Sequence, residues 1–361
     1  MKNVLHVIDH LGLGGAQSVL LDLVAHTDDR EFRTEVAVMH GGGMFAEALQ
    51  ARGVKVHSLA TAKWPPVYLL NFVRLLRSGK YDVLHFHLQG SNWLAKPVSA
   101  IFSPARRVAH DHSSADLRFR KKWSLAPDAF AHFFSHCVIA VSPGVAGFLA
   151  EREFVPRGKI FVVPNGVDTK FFPPATERQR AEARALLGFS GNDFVAGSLG
   201  RLAPEKNFQS LARLARAMPQ VQFVVGGEGP ERRAILGAAG DAPNFRLAGQ
   251  VSDRPAFYAA LDVFLLPSLH EALPMTILEA MASEVPIIAS DLEGVALALG
   301  DTGILVPSGD SLALEVALRS LSADPGRARR MAALARERVV LLHDARQTAG
   351  KISQLYRGLL G

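Results

Sequence analysis

Glu271 and Glu279, with seven residues between them, are the carboxylates of this 361-residue chain best spaced to share a ligand, and Arg201 and Lys206 are the cations best placed to join them. The apolar run VFLLPS (263–268) reads as a buried strand. Pro274 suits the first turn of a helix that TILEAMA continues. Pro286 closes that helix, and VPIIAS reads as the next strand. Glu271 is therefore expected in a loop at a strand's carboxyl end, and Glu279 inside the helix that follows. Ligands of open parallel sheets collect at that end. A helix start there offers unpaired N–H groups and partial positive charge, which suit a phosphate. Two carboxylates repel a phosphate; their chemistry is to accept hydrogen bonds from hydroxyls on either side of it, such as a ribose at one end and a sugar at the other. Arg201 and Lys206 follow the predicted strand FVAGSLG and emerge at another carboxyl end. Arginine forks onto two anionic oxygens, while lysine acts as a compact point charge. Taken singly, each of the four residues reads equally as a solvated surface charge.

The elements that must position these groups alternate along the chain. In the first half, VLHVID (4–9), TEVAVMH (34–40), DVLHFHL (82–88), RRVAHD (106–111), CVIAVS (137–142) and IFVVPNG (160–166) read as strands separated by helical segments. The alternation restarts at FVAGSLGRL (194–202), after a Pro-Pro linker and a charged helix (171–188). Such alternation argues parallel sheets covered on both faces. The expected fold class is α/β: two doubly wound Rossmann-like domains facing a cleft.

Composition bounds the function. Hydrophobic residues make up 48% and charged residues 20%, as in a globular protein. The single cysteine, Cys137, excludes an intramolecular disulfide and fits a reducing compartment. No basic-then-apolar leader opens the chain, so a cytoplasmic location is expected. The uncharged span 129–150 is long enough to cross a bilayer, but Ser-Pro-Gly interrupts it and it parses as helix, strand, turn and helix. Residues 1–170 carry 20 Lys/Arg against 14 Asp/Glu, and residues 171–361 carry 20 against 20, so the whole formal +6 lies in the first half. A basic first half suggests a negatively charged partner.

The chain resembles the retaining glycosyltransferases of family 4. The Glu-x7-Glu segment carries the resemblance together with GLGGAQ (12–17), HD (110–111), VPNGVD (163–168), GRLAPEKN (200–207), GEGPERR (227–233) and TGILVPSGD (302–310), in the family's order. The resemblance implies the GT-B fold, with an amino-terminal acceptor-side domain over 1–170, a nucleotide-sugar domain over 171–343, and a last helix (344–361) crossing back to the first domain. It implies transfer of a sugar from a UDP- or GDP-linked donor to a glycan or lipid-linked acceptor, in cell-surface polysaccharide or glycolipid synthesis, with no cofactor and no nucleic-acid partner. Glu271 would contact the donor sugar and Glu279 the ribose. Arg201 and Lys206 would stabilise the departing diphosphate electrostatically without an obligatory metal. The N–H groups of Met275 and Thr276 are candidates for the same diphosphate. Gly249 and Val251, in GQVS, resemble the segment flanking the base, and Gly14 and Gly15 the loop approaching the donor phosphates, where a Cβ would leave no room. His110 would lie near the donor sugar as a catalytic residue.

Other readings stay open. A nucleotide-sugar 2-epimerase shares the architecture and needs no acceptor, and a non-catalytic relative would keep the fold alone. The H-x-H pairs His85/His87 and His110/His112 have zinc-ligand character, but no cysteine or carboxylate pattern completes a site, and no metal is expected. Arg118, Arg120, Lys121 and Lys122, interleaved with Phe119 and Trp123, suit an anionic membrane surface on the inner face of the cytoplasmic membrane or, equally, a solvated loop. Two positions depart from the family. Glu284 replaces the glycine that ends the helix, which either strains the turn or ends it differently. EGVALAL (293–299) lacks the usual Pro-Glu, with Leu297 at the acidic position.

Overall fold

A computed structural model describes residues 1–12, 14–59, 65–112 and 124–361, with Pro65 and Pro66 as backbone only. The basic cluster Arg118–Trp123 lies outside the described residues. The chain divides into two compact units, Met1–Gly166 with Ala345–Gly361, and Val167–Asp344.

The first unit is built on seven parallel strands: β1 (Lys2–Ile8), β2 (Phe32–Val38), β3 (Lys55–Ser58), β4 (Val83–His87), β5 (Arg106–Asp111), β6 (Cys137–Ala140) and β7 (Ile160–Val162), in the order β3-β2-β1-β4-β5-β6-β7. The second has six: β8 (Phe194–Leu199), β9 (Val221–Gly226), β10 (Phe245–Gly249), β11 (Val263–Leu266), β12 (Ile287–Ser290) and β13 (Ile304–Val306), in the order β10-β9-β8-β11-β12-β13. Both are doubly wound, with the strand order reversing between β1 and β4 and between β8 and β11. That reversal opens a crevice at the carboxyl ends of those strands. β3 escaped the sequence reading because KVHS is short, polar and only half-buried, without an apolar run to mark it. The stretch 160–166 is a strand only to Val162, before Pro164, which has no N–H to give the ladder.

The segment 129–150 is the end of a helix (Leu125–Phe133), strand β6 and a second helix (Pro143–Arg152), whose Ser142 cap accepts the Val145 N–H at 3.3 Å. Among the described residues no helix is long and apolar enough to cross a membrane. The last helix, Ala345–Leu360, belongs to the first unit: Ala349, Ile352 and Tyr356 are buried among Val4, Val83, Cys137 and Ile139, and Arg357 forks onto Glu31 with two 2.6 Å contacts. Gly166 meets the start of that helix so closely that a Cβ would lie 2.9 Å from Ala345 Cα.

The helix Met275–Ala282 ends in a Schellman motif. The Glu284 N–H donates to Met281 O at 3.1 Å and the Val285 N–H to Ala280 O at 3.0 Å, which requires a left-handed residue at 284. Glu284 adopts φ +55°, so the substitution strains the turn and does not reroute it. Glu284→Gly is expected to raise unfolding stability by about 1 kcal/mol, read as a higher urea midpoint at unchanged slope.

Lys96 is buried in the first unit at 0% exposure, its Nζ donating to Ser135 Oγ at 2.9 Å. Burial lowers its pKa to about 7, against the pull of Asp111, Glu153 and Asp128. Between pH 7 and the ordinary lysine range the unfolded chain binds the extra proton, so stability rises with pH across that window. Relative to Lys96→Met, the wild type is expected to gain about 2–3 kcal/mol between pH 7 and pH 9. Parallel denaturation curves for the two proteins check it.

Candidate active site

In the second unit, the loops leaving β8 and β11 meet at the topological switch point. The first runs through Arg201 and Lys206, the second through Ser268 and Glu271. Lys206 Nζ lies 2.6 Å from Glu271 Oε1, and Ser268 Oγ donates to the same oxygen at 2.8 Å. The lysine and glutamate side chains are only 20% and 9% exposed, so the pair is held in partial isolation from water. Among the described residues Glu271 Oε2 has no hydrogen-bond partner and is the oxygen available to a ligand hydroxyl. Asn207 takes the left-handed conformation at φ +51°, which turns the chain from Lys206 into the next helix (Phe208–Ala217), and its side chain donates to Pro267 O at 3.3 Å. Arg201 is different: it is 67% exposed and paired with Glu205. A ligand anion would have to compete with that carboxylate for it.

Three glycines hold this crevice closed behind the cations. A Cβ on Gly227, at φ +135°, would sit 1.8 Å from Gly200 O, and one on Gly229 would sit 2.4 Å from Leu202 O. Gly294 packs against Ala272 O, where a Cβ would fall at 1.6 Å, so the start of the helix Glu293–Leu299 presses directly on the Glu271 loop. GEG and EGV are legible as motifs in the sequence; which backbone they press against is not. Gly249, at φ +69°, accepts the Gly227 N–H at 2.6 Å, and Val251 lies over Gly226 beside it.

Met275 and Thr276 open the helix after Pro274, which is its cap and not its first residue. Their N–H groups point out of the helix start without an intrahelical acceptor. One turn on, Glu279 is 1% exposed. Its Oε1 pairs with Arg254 and its Oε2 accepts the Tyr258 hydroxyl at 2.9 Å. Arg254 also lies over the Phe172 ring, 5.3 Å from its centre. Burial raises the Glu279 pKa, outweighing Arg254 and Tyr258, which lower it. Arg254 and Tyr258 are the site residues that sequence reasoning missed. They sit 25 and 21 positions from Glu279, on a short helix, RPAFYA, whose residues form no motif that points to Glu279.

In the first unit, Gly14 caps the helix Gly15–His26 in extended backbone, and the Gln17 side chain folds over it toward His10. A Cβ on Gly43 would lie 2.2 Å from Leu11 O, so the glycine-rich turn 41–43 seats the same loop. At the other side of that switch point Asp9 accepts the Gly90 and Ser91 N–H groups at 2.8 and 2.6 Å. His110, next to last in β5, lines a cavity of about 120 Å³ with Gln89, Asp111, His112, Asp128 and His132. It is 1% exposed, and burial followed by the neighbouring imidazoles holds its pKa well below the usual histidine range, so the ring is neutral. The two H-x-H pairs do not stand apart: β1, β4 and β5 are adjacent, and His6, His85, His87, His110 and His112 form one group of contacting rings.

Two doubly wound parallel sheets, the second with a lysine–glutamate pair at its switch point, define an α/β protein of the GT-B class. The chain belongs to glycosyltransferase family 4: the Glycosyltransferase Family 4 model matches residues 13–171, and the Glycosyl transferases group 1 model matches 193–324. It is 30% identical over 210 residues to the UDP-Gal:alpha-D-GlcNAc-diphosphoundecaprenol alpha-1,3-galactosyltransferase of Escherichia coli, over 51% of this chain and 54% of that one, so it spans about half of that relative. It is 30% identical over 301 residues to a glycogen synthase of Mycobacterium tuberculosis, over 78% of this chain and 69% of that one. The crystal structure of Anabaena Alr3699/HepE in complex with UDP-glucose superposes with a TM-score of 0.88 at 21% identity, over 99% of this chain and 100% of that one, which is a likeness of fold.

Proposed function

We propose that the chain is a retaining glycosyltransferase that moves a sugar from a nucleotide-diphosphate donor to a hydroxyl of a glycan or lipid-linked acceptor. The observation that carries this reading is the 2.6 Å Lys206–Glu271 pair at the switch point, followed directly by a helix start. In the proposed step the anomeric C–O bond to the diphosphate breaks, the acceptor oxygen bonds to the same face of the anomeric carbon, and the acceptor proton passes to the departing diphosphate. Lys206, Arg201 and the Met275 and Thr276 N–H groups oppose the charge that collects on the phosphates. Glu271 accepts hydrogen bonds from sugar hydroxyls through Oε2 and is not a nucleophile. Glu279 faces the ribose, with Gly249 and Val251 toward the base. His110, being neutral, is a hydrogen-bonding group and not a proton donor. Gly14 and Gly15 give the donor phosphates close backbone approach.

A UDP-linked donor is the first to test, since HepE was crystallised with UDP-glucose and the E. coli relative is named for UDP-Gal. That relative's diphosphoundecaprenol acceptor supports a lipid-linked acceptor here, as does the positive balance of residues 1–170. Arg118, Arg120, Lys121 and Lys122 would meet the inner face of the membrane. Flotation with anionic liposomes tests this: a quadruple Ser variant that floats as well as the wild type defeats it.

The decisive experiment is a thermal-shift panel of UDP- and GDP-sugars, followed by NMR of the product formed with an undecaprenyl-diphosphate-linked sugar. The expected result is one donor that raises the midpoint and a product with the donor's anomeric configuration. An inverted product excludes retention, a product formed from donor alone makes the protein an epimerase, and a flat panel removes the donor reading.

A further inference from the structure

The first unit gathers more imidazole than the proposed reaction uses. β4 and β5 are neighbours in a register that sets His87 opposite His110, and the H-x-H spacing returns His112 to the side of His110. One ligand nitrogen from each of His87, His110 and His112 lies within 4.8 Å of the other two. His87 Nδ1 and His112 Nε2 are 3.3 Å apart. Two nitrogens each about 2.0–2.1 Å from a tetrahedral zinc ion stand roughly 3.3 Å from one another, so the spacing of this edge matches that of two zinc ligands.

Hydrogen bonding draws attention to His110. Both ring nitrogens of His110 are buried with no hydrogen-bond partner among the described residues, while His112 turns Nε2 toward His87. Orphaned buried polar atoms in a folded protein call for an ion or an ordered water. In the neighbouring trio of His6, His85 and His87, His85 Nδ1 meets the Tyr356 hydroxyl at 2.6 Å, His6 Nδ1 meets His87 Nε2 at 3.0 Å, and His85 Nε2 has no hydrogen-bond partner among the described residues. The His6–His87 contact serves a metal on the far side of His87. If Nδ1 is the ligand, Nε2–H donates to His6, the outer hydrogen bond that fixes the tautomer of a metal-bound histidine. Burial keeps the rings neutral, the form in which imidazole ligates.

We propose that the first unit binds one divalent transition-metal ion, of the zinc class, on the imidazoles of His87, His110 and His112. Three neutral nitrogen donors and no thiolate select zinc, cobalt or nickel over magnesium or calcium. Three protein ligands leave a fourth position. It opens into the 120 Å³ cavity, where there is room for a water or a ligand hydroxyl and where Asp111 and Asp128 offset the ion's charge. In sequence each H-x-H pair falls one ligand short; the pairing of β4 with β5 supplies the third.

The test uses the tag-free full chain, stripped with chelator and titrated with Co²⁺ and then Zn²⁺. Wild type is expected to take up one equivalent of cobalt with the intense visible absorption of a tetrahedral site, to exchange it for zinc, and to unfold at a higher temperature when loaded. His112→Gln and His87→Gln should each weaken binding at least tenfold, while His57→Gln, whose ring sits on Glu35 at 2.7 Å, should bind like wild type. His112, only partly buried at the end of its strand, is the variant to rely on if His87→Gln does not fold. Absence of the cobalt spectrum, or equal uptake by wild type and His112→Gln, overturns the site and leaves an ordered water as the partner of these nitrogens. Metal content and spectra are read without turnover, so the result does not depend on the proposed transferase activity.

Discussion

Lys206→Met is expected to lower kcat about 10²–10³-fold, the scale of removing one preorganised charge from a developing oxyanion, with little change in donor affinity. The lysine holds its position by a 2.6 Å contact to Glu271, in a setting where both side chains are largely shielded from water. A fixed, partly desolvated ammonium needs no reorganisation when charge appears on the leaving diphosphate, and its field is weakly screened. Arg201 is a poorer candidate for so large an effect, being well exposed and already committed to Glu205. Arg201→Met should cost less than Lys206→Met, and the ranking of the two is itself a check. Loss of Lys206 leaves Glu271 held by Ser268 Oγ, so circular dichroism and the thermal midpoint must accompany the rates. Single-turnover rates for the two variants equal to wild type would remove the pair from the mechanism.

Glu279→Gln is expected to weaken nucleotide binding about 10–100-fold, on the scale of lost hydrogen bonds to a charged acceptor, while leaving the rate at saturating donor within a few-fold of wild type. The isosteric amide is the informative change. Glu279 is buried against Arg254 and Tyr258, and alanine there would take a carboxylate away from a mostly buried guanidinium, a loss of up to about 3–5 kcal/mol that would mix stability with binding. Tyr258→Phe supplies a second measurement, because it removes one hydrogen bond to Oε2 and none of the charge. If the carboxylate must be aimed at the ribose, this variant should lose affinity by a smaller factor in the same direction. Calorimetric titration with UDP decides it: equal affinity for wild type and Glu279→Gln would leave Glu279 a purely structural partner of Arg254.

The local frame of the second unit was legible in the sequence. VFLLPS, the loop with Glu271, and TILEAMA announce themselves by a short apolar run, a proline and good helix formers, all of which act through near neighbours. The same holds for most other strands. It fails for β3, whose four residues become a strand only because β2 lies beside them. The Glu284 departure was visible as a missing glycine, but two outcomes were compatible with it; the hydrogen bonds of the Schellman motif select the strained one.

What the sequence determined by itself was therefore the inventory and its local setting: which residues carry charge, which lie at a strand's end, and which open a helix. Short-range sterics and hydrogen bonding govern those features, and they are written within a few residues. Only the tertiary structure decided which groups face one another. Lys206 meets Glu271 across 65 positions, Arg254 meets Glu279 across 25, and His87 meets His112 across 25. Each of these meetings depends on the order of strands in a sheet, and that order is set by burial of the whole core, which no local spacing records.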